Sequence, residues 1–180
     1  PIEIEQKSIY TAKKSKTKAL AYYNFLAVDY SVIYTNLIPE KTEFSGTSAS
    51  SANKNELGVD ISDGAQQVSV SYKSYLKKSI FQLKEMNYHE AINRFNTILI
   101  HYPNDVNAEF YIGYSLFYQG NYLQAIAYFD KAMNNGFDFF FEDAQWFKAN
   151  SLENLNRTKE ANKIYREIKE KGGYYSFQVK

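Results

Sequence analysis

The chain has 180 residues, a formal net charge of +1, 44% hydrophobic and 17% aromatic content, and no cysteine. That length suits one domain with a flexible arm, and the charge is too small to draw the chain to nucleic acid or anionic lipid. The lack of cysteine removes disulfides and thiolate metal sites, and no apolar run approaches the ~20 residues needed to span a bilayer.

The chain starts at Pro1 rather than Met, as a fragment or a processed form does, so a missing leader or anchor says nothing about a parent protein. Residues 1–39 read as an N-terminal arm, basic and helical over 1–24. Lys13, Lys14, Lys16 and Lys18 cluster with no intervening acid. A solvated helix face outweighs a phosphate or lipid patch there, and no aromatics interleave as a single-stranded nucleic-acid site would need. Over 25–38, Val28, Tyr30, Val32 and Tyr34 alternate with Ala27, Asp29, Ser31 and Ile33. Such alternation suggests an extended segment; a helix running on from residue 19 competes with it, and Pro39 ends either form. Residues 40–65 are rich in Ser, Gly, Thr, Asn and Asp, with a low-complexity centre at 45–51. They cannot bury enough apolar surface to offset their ordering entropy and read as a flexible linker, with a phosphorylation loop as the minor alternative.

A helical repeat domain follows over 66–180. Helices are expected near 66–85, 88–101, 105–118, 122–134, 140–154 and 158–170. Asp105 and Asn121 are suited to N-caps, and Asn135-Gly136 and Gly172-Gly173 to helix ends. The connection at 137–141 is unusually aromatic; it plugs a gap in preference to forming a sticky patch. The tail from Tyr174 is apolar enough to dock as a capping turn.

The helices are copies of one pattern. Asn87-Tyr88, Ala91-Ile92 and Phe95 recur 34 residues later as Asn121-Tyr122, Ala125-Ile126 and Phe129, and a fixed period of this length marks a repeat architecture. In the middle copy, residues three and four apart put Ile112, Gly113 and Leu116 on one helix face and Ala125, Phe129 and Ala132 on the next. A mid-helix Gly costs about 1 kcal/mol relative to Ala and needs a compensating use. Close approach at the crossing with Ala125, with Phe129 filling the space beyond, is such a use. A third copy, longer by two residues, carries Ala149, Leu152, Ala161, Tyr165 and Ile168.

These residues resemble the tetratricopeptide repeat over roughly 72–173. The departures are Glu109 at the first large aromatic position, Lys78, Ser79 and Gln82 in the first copy, and Asn156 at the turn glycine of the third; atypical terminal copies are usual in such arrays. The resemblance implies an all-α, right-handed superhelix of about three helix pairs, a protein-binding scaffold rather than an enzyme, and no cofactor. In arrangement the chain is similar to short arrays of bacterial envelopes and assembly machines, which leaves envelope, periplasm and cytoplasm open.

Signs of catalysis are sparse. His89 and His101 lie at opposite ends of one expected helix, about 18 Å apart at 1.5 Å per residue, too far to share a metal. Glu142-Asp143 diverge at a helix start. No phosphate loop, nucleophile elbow or HExxH pattern occurs. Asn156-Arg157-Thr158 fits a glycosylation acceptor, a short and often accidental signal.

What remains is a surface. The resemblance puts the first helix of each pair on the concave side. There it places Leu76, Ile80 and Leu83; Phe110, Tyr114 and Phe117 with Tyr118; and Trp146, Asn150 and Glu153. Each set is spaced i, i+4, i+7 and forms one stripe. Apolar residues at Leu76, Ile80 and Phe110 do not suit the Lys and Asn clamp with which some family members hold a peptide carboxylate. Two occupants suit the stripe: a partner protein segment anchored by aromatic contacts, or residues 25–38 of the same chain. Stacking with further copies through 137–141 and 174–179, as a structural subunit, is the alternative function.

Overall fold

The computed structural model describes residues 19–22, 25–31, 33–41 and 67–179. The expected lysine cluster and the low-complexity centre of the linker lie outside the described residues. Among the described residues six helices run in chain order: α1 (Tyr72–Lys84), α2 (Tyr88–His101), α3 (Val106–Tyr118), α4 (Tyr122–Asn134), α5 (Phe141–Asn154) and α6 (Thr158–Lys171), followed by a 3-10 turn, Tyr174–Phe177. Each helix packs against the next. The architecture is an all-α stack of three helix pairs.

The pairs share one turn. Met86, Gly120 and Asn156, at equivalent positions, all take positive φ, 58°, 78° and 59°. In each, the following residue's N–H reaches back to close the helix end: Asn87 to Gln82, Asn121 to Leu116 and Arg157 to Leu152, at 2.8, 2.9 and 2.9 Å. This is the Schellman closure, which satisfies carbonyls the helix end leaves open. Glycine fits it without strain in the middle copy and asparagine tolerates it in the third. Met86 holds the same conformation at a steric cost of about 1–2 kcal/mol.

The crossing within the central pair differs in detail from the sequence expectation. A Cβ on Gly113 would lie 2.8 and 2.9 Å from two ring carbons of Phe129. The room left by the missing side chain is thus filled by an aromatic ring. Ser79 and Ala149 hold the equivalent buried positions in the outer pairs.

Two strand pairs stand where other structure was expected. β1 (Ala19–Tyr22) pairs antiparallel with β2 (Phe25–Val28), from Ala19↔Val28 to Tyr22↔Phe25. The helical arm therefore gives way to a strand over 19–22, and the extended alternative holds over 25–28. β3 (Ile38–Lys41) pairs antiparallel with β4 (Gln67–Val70), Ile38↔Val70 through Lys41↔Gln67. The expected helix from residue 66 thus begins only at Tyr72, with Ser71 as N-cap. The valines of Gln67-Val68-Ser69-Val70 alternate with polar residues, a pattern that suits a strand with a partner to pair with. The same pairing sets Lys41 beside Gln67.

The core runs through the helix pairs and takes in Leu26, Ala27, Val28, Tyr30 and Ile38 beside Tyr72, Leu76, Ile80, Phe95 and Tyr111. Tyr34 stacks on Tyr102 at 3.9 Å, and Tyr72 meets both edge-on, at 4.8 and 5.5 Å. Such ring pairs add about 0.5–1.5 kcal/mol each beyond burial. Glu40 is pinned by Lys78 and Arg94, each at 2.6 Å. Burial pushes its carboxyl up, and the bonds from Lys78 and Arg94 outweigh that and hold it below the usual range.

Candidate protein-binding surface

Helix α3 hydrogen-bonds the main chain of the N-terminal segment through its side chains, starting from one amide. Asn107, one turn above the expected stripe, is fully buried. Its Oδ1 accepts the Val28 N–H at 2.7 Å, and its Nδ2 donates to the Val28 carbonyl at 2.9 Å and to the Tyr72 hydroxyl at 2.8 Å. One turn further on, the Tyr111 hydroxyl donates to the Leu26 carbonyl. Burial pushes that hydroxyl well above the usual tyrosine range, so it stays a donor. The Phe25 ring sits edge-on to Tyr111 at 5.8 Å and to Tyr114 at 5.7 Å. The helix thus grips an extended strand chiefly by its main chain, with one aromatic side chain in a pocket of tyrosines. Bonds to main-chain groups leave most side chains unread.

Beneath this grip sits a buried carboxylate. Asp105 caps α3, accepting the Ala108 N–H at 2.7 Å on one oxygen and the Tyr72 hydroxyl at 2.7 Å on the other. Burial pushes its carboxyl up to about 7 against these bonds. Glu109, at the position where a large aromatic was anticipated, is also buried; burial raises it too, while an Asn135 bond at 2.9 Å opposes the rise.

The anticipated surface residues fall into three groups. Leu76, Ile80, Leu83 and Phe110 are buried at 0, 0, 2 and 4% exposure, and offer no open surface in this arrangement. Tyr114 and Phe117 are half-buried, facing Phe147 at 5.3 Å each, while Tyr118, half-exposed, stacks on Tyr88 at 5.6 Å. Trp146 and Asn150 sit apart, at the far end. There they line a cavity of about 720 Å³ together with Glu153 and Tyr165. Asn107, Tyr111 and Asp105 were not anticipated as contact residues. An amide amid the apolar run of α3 was the available sign, since a buried amide needs partners.

Among the described residues no group of three or more His, Cys, Asp or Glu side chains could hold a metal ion, and no helix is long and apolar enough to cross a membrane. His101 hydrogen-bonds the Thr97 carbonyl and His89 the Asn93 amide, both within α2.

The stretch that builds the grip, α3 with its turn and α4, also matches a known family. Residues 107–135 fit the family model of the tetratricopeptide repeat. That stretch is similar to one tetratricopeptide repeat. The match covers the central pair and includes Gly113, the Gly120 turn, Ala125 and Phe129. Tetratricopeptide repeats serve in general as protein-interaction modules and not as catalysts. Among curated proteins there is no match to this sequence.

Proposed function

We propose that this protein is a non-catalytic adaptor or scaffold whose helical stack holds an extended segment of another protein, and that its own residues 25–38 occupy that place until a partner displaces them. The two bonds from Asn107 to Val28 carry this reading, because they engage a main chain that any extended segment can offer. Tyr111 adds a third main-chain bond, and the Tyr111–Tyr114 pocket adds selection for one ring. A partner segment would then need an aromatic residue three positions before the residue that Asn107 clamps.

Val28→Pro tests this. Proline removes the N–H that Asn107 accepts and weakens the hold on the chain's own segment. A labelled peptide of residues 19–41 should then bind the variant about ten-fold or more tightly than it binds the wild type, whose place is filled, as read by fluorescence anisotropy. Adding Asn107→Ala should abolish the gain. If the variant keeps its helical circular dichroism and takes up the peptide no better than wild type, the proposal fails.

A further inference from the structure

The cavity at Trp146 is an unfilled copy of a place that is filled elsewhere in the stack. At the junction of the second and third pairs, the Phe147 ring of α5 plugs the groove between α3 and α4. It lies 6.2 Å from Phe110, 5.3 Å from Tyr114, 5.3 Å from Phe117 and 5.8 Å from Phe129. The four residues found 36 positions later are Trp146, Asn150, Glu153 and Tyr165, and all four line the cavity of about 720 Å³ between α5 and α6.

The likeness extends to the neighbours. Phe140, just before α5, stacks on Phe110 at 4.3 Å and 7°; Tyr175, in the turn after α6, stacks on Trp146 at 4.9 Å and 7°. Tyr111 stacks on Phe95 at the first junction, and Phe147 on Phe129 at the second. Among the described residues the ring that would lie on Tyr165 in the same way has no counterpart. The 3-10 turn begins the next layer, and Gln178 and Val179 just after it wall one side of the cavity without supplying a ring.

We infer that this groove is a docking site for a helix of another protein, one with a large apolar residue followed directly by an acidic one. The apolar residue follows from the cavity, which has the place of the Phe147 ring and a shelf of Trp146 and Tyr165. The acidic residue follows from charge. In the filled junction the residue after Phe147 is Lys148, whose Nζ meets Asp130 of α4 at 2.6 Å. The position equivalent to Asp130 is Arg166, and that equivalent to Met133 is Lys169; both line the cavity. The lysine that suits the inner junction would face two cations at the outer one, where the one lining carboxylate, Glu153, accepts the Tyr165 hydroxyl at 3.0 Å. A helix like α5 from a second copy is therefore disfavoured, and a partner helix with Asp or Glu there is favoured.

The probes are two helix-stabilised peptides of residues 137–157 with Trp146→Phe, one of them carrying Lys148→Glu. Trp146 is the chain's one tryptophan, so its fluorescence reports on the groove alone. The Lys148→Glu peptide should quench or shift that emission and bind about ten-fold more tightly than the lysine form. The exposed change Arg166→Asp should reverse the preference. Equal binding of both peptides, or a preference unmoved by Arg166→Asp, would overturn the charge rule. No effect of either peptide on Trp146 would overturn the site itself.

Discussion

Asp105 is the residue on which the grip of α3 rests, and it is a carboxylate with no exposed surface. Its two bonds tie the helix cap to Tyr72, and through Tyr72 to Asn107 and Val28. Because burial raises its folded-state pKa to about 7, well above the ordinary ~4, the folded chain holds the proton more tightly than the unfolded one. That contribution to stability is full below pH ~4 and is lost as pH rises through about 7. Glu109, raised in the same direction, adds to it, whereas Glu40 is lowered and acts only at more acid pH. Between pH 8 and pH 5.5 wild-type unfolding free energy should therefore rise by about 2 kcal/mol. Asp105→Asn keeps a capping side chain and removes the charge, so its stability should change less over the same interval. Urea titrations of both proteins at the two pH values check this; parallel pH dependence would contradict it.

At the scale of the elements, the central helix pair is held by fit between a missing side chain and a ring. Gly113→Ala would improve helix propensity by about 1 kcal/mol, but its methyl would meet the Phe129 ring at 2.8 Å. Phe129 is fully buried and has little room to yield, and overpacking of a tight core costs about 1–3 kcal/mol. A net loss of up to about 2 kcal/mol in unfolding free energy is expected, recovered in part by Phe129→Leu in the same chain. The helix pairs were legible from their 34-residue period because local contacts dominate them, and the Gly120 turn announced its own φ. β4 was hidden because four residues adjoining a helical pattern extend it by default, and only pairing with β3 makes them a strand. Met86 gave no sign either, since nothing about methionine signals a left-handed turn except its place in the repeat.

In the whole molecule, the apolar second stripes of α1 and α3 were readable, but what covers them was not. Leu76, Ile80 and Phe110 answer to periodicity alone, which says that a face is apolar and not which surface meets it. The partners of Asn107 and Tyr111 lie 79 and 85 positions away in sequence, and no window of a single chain links them. Trp146 and Asn150 were legible as a stripe, and they differ from the buried stripes in that no helix among the described residues covers them. The same separation orders events. Long-range contacts form after the loop between them closes, whereas each helix pair closes over its own short turn. Pulse-labelled hydrogen exchange during refolding should find the amides of α3 and α4 protected before that of Val28; simultaneous protection would show that the segment takes part in the first cooperative step.

The distance along the chain between Val28 and Asn107 has a further consequence in the cell. Synthesis proceeds from the N-terminus at about 5–20 residues per second, so Val28 is made about 4–16 seconds before the asparagine that clamps it. For that interval Leu26 and Val28 lack the α3 side chains that bond their main chain, and whatever meets the nascent chain first meets those bonds unmade.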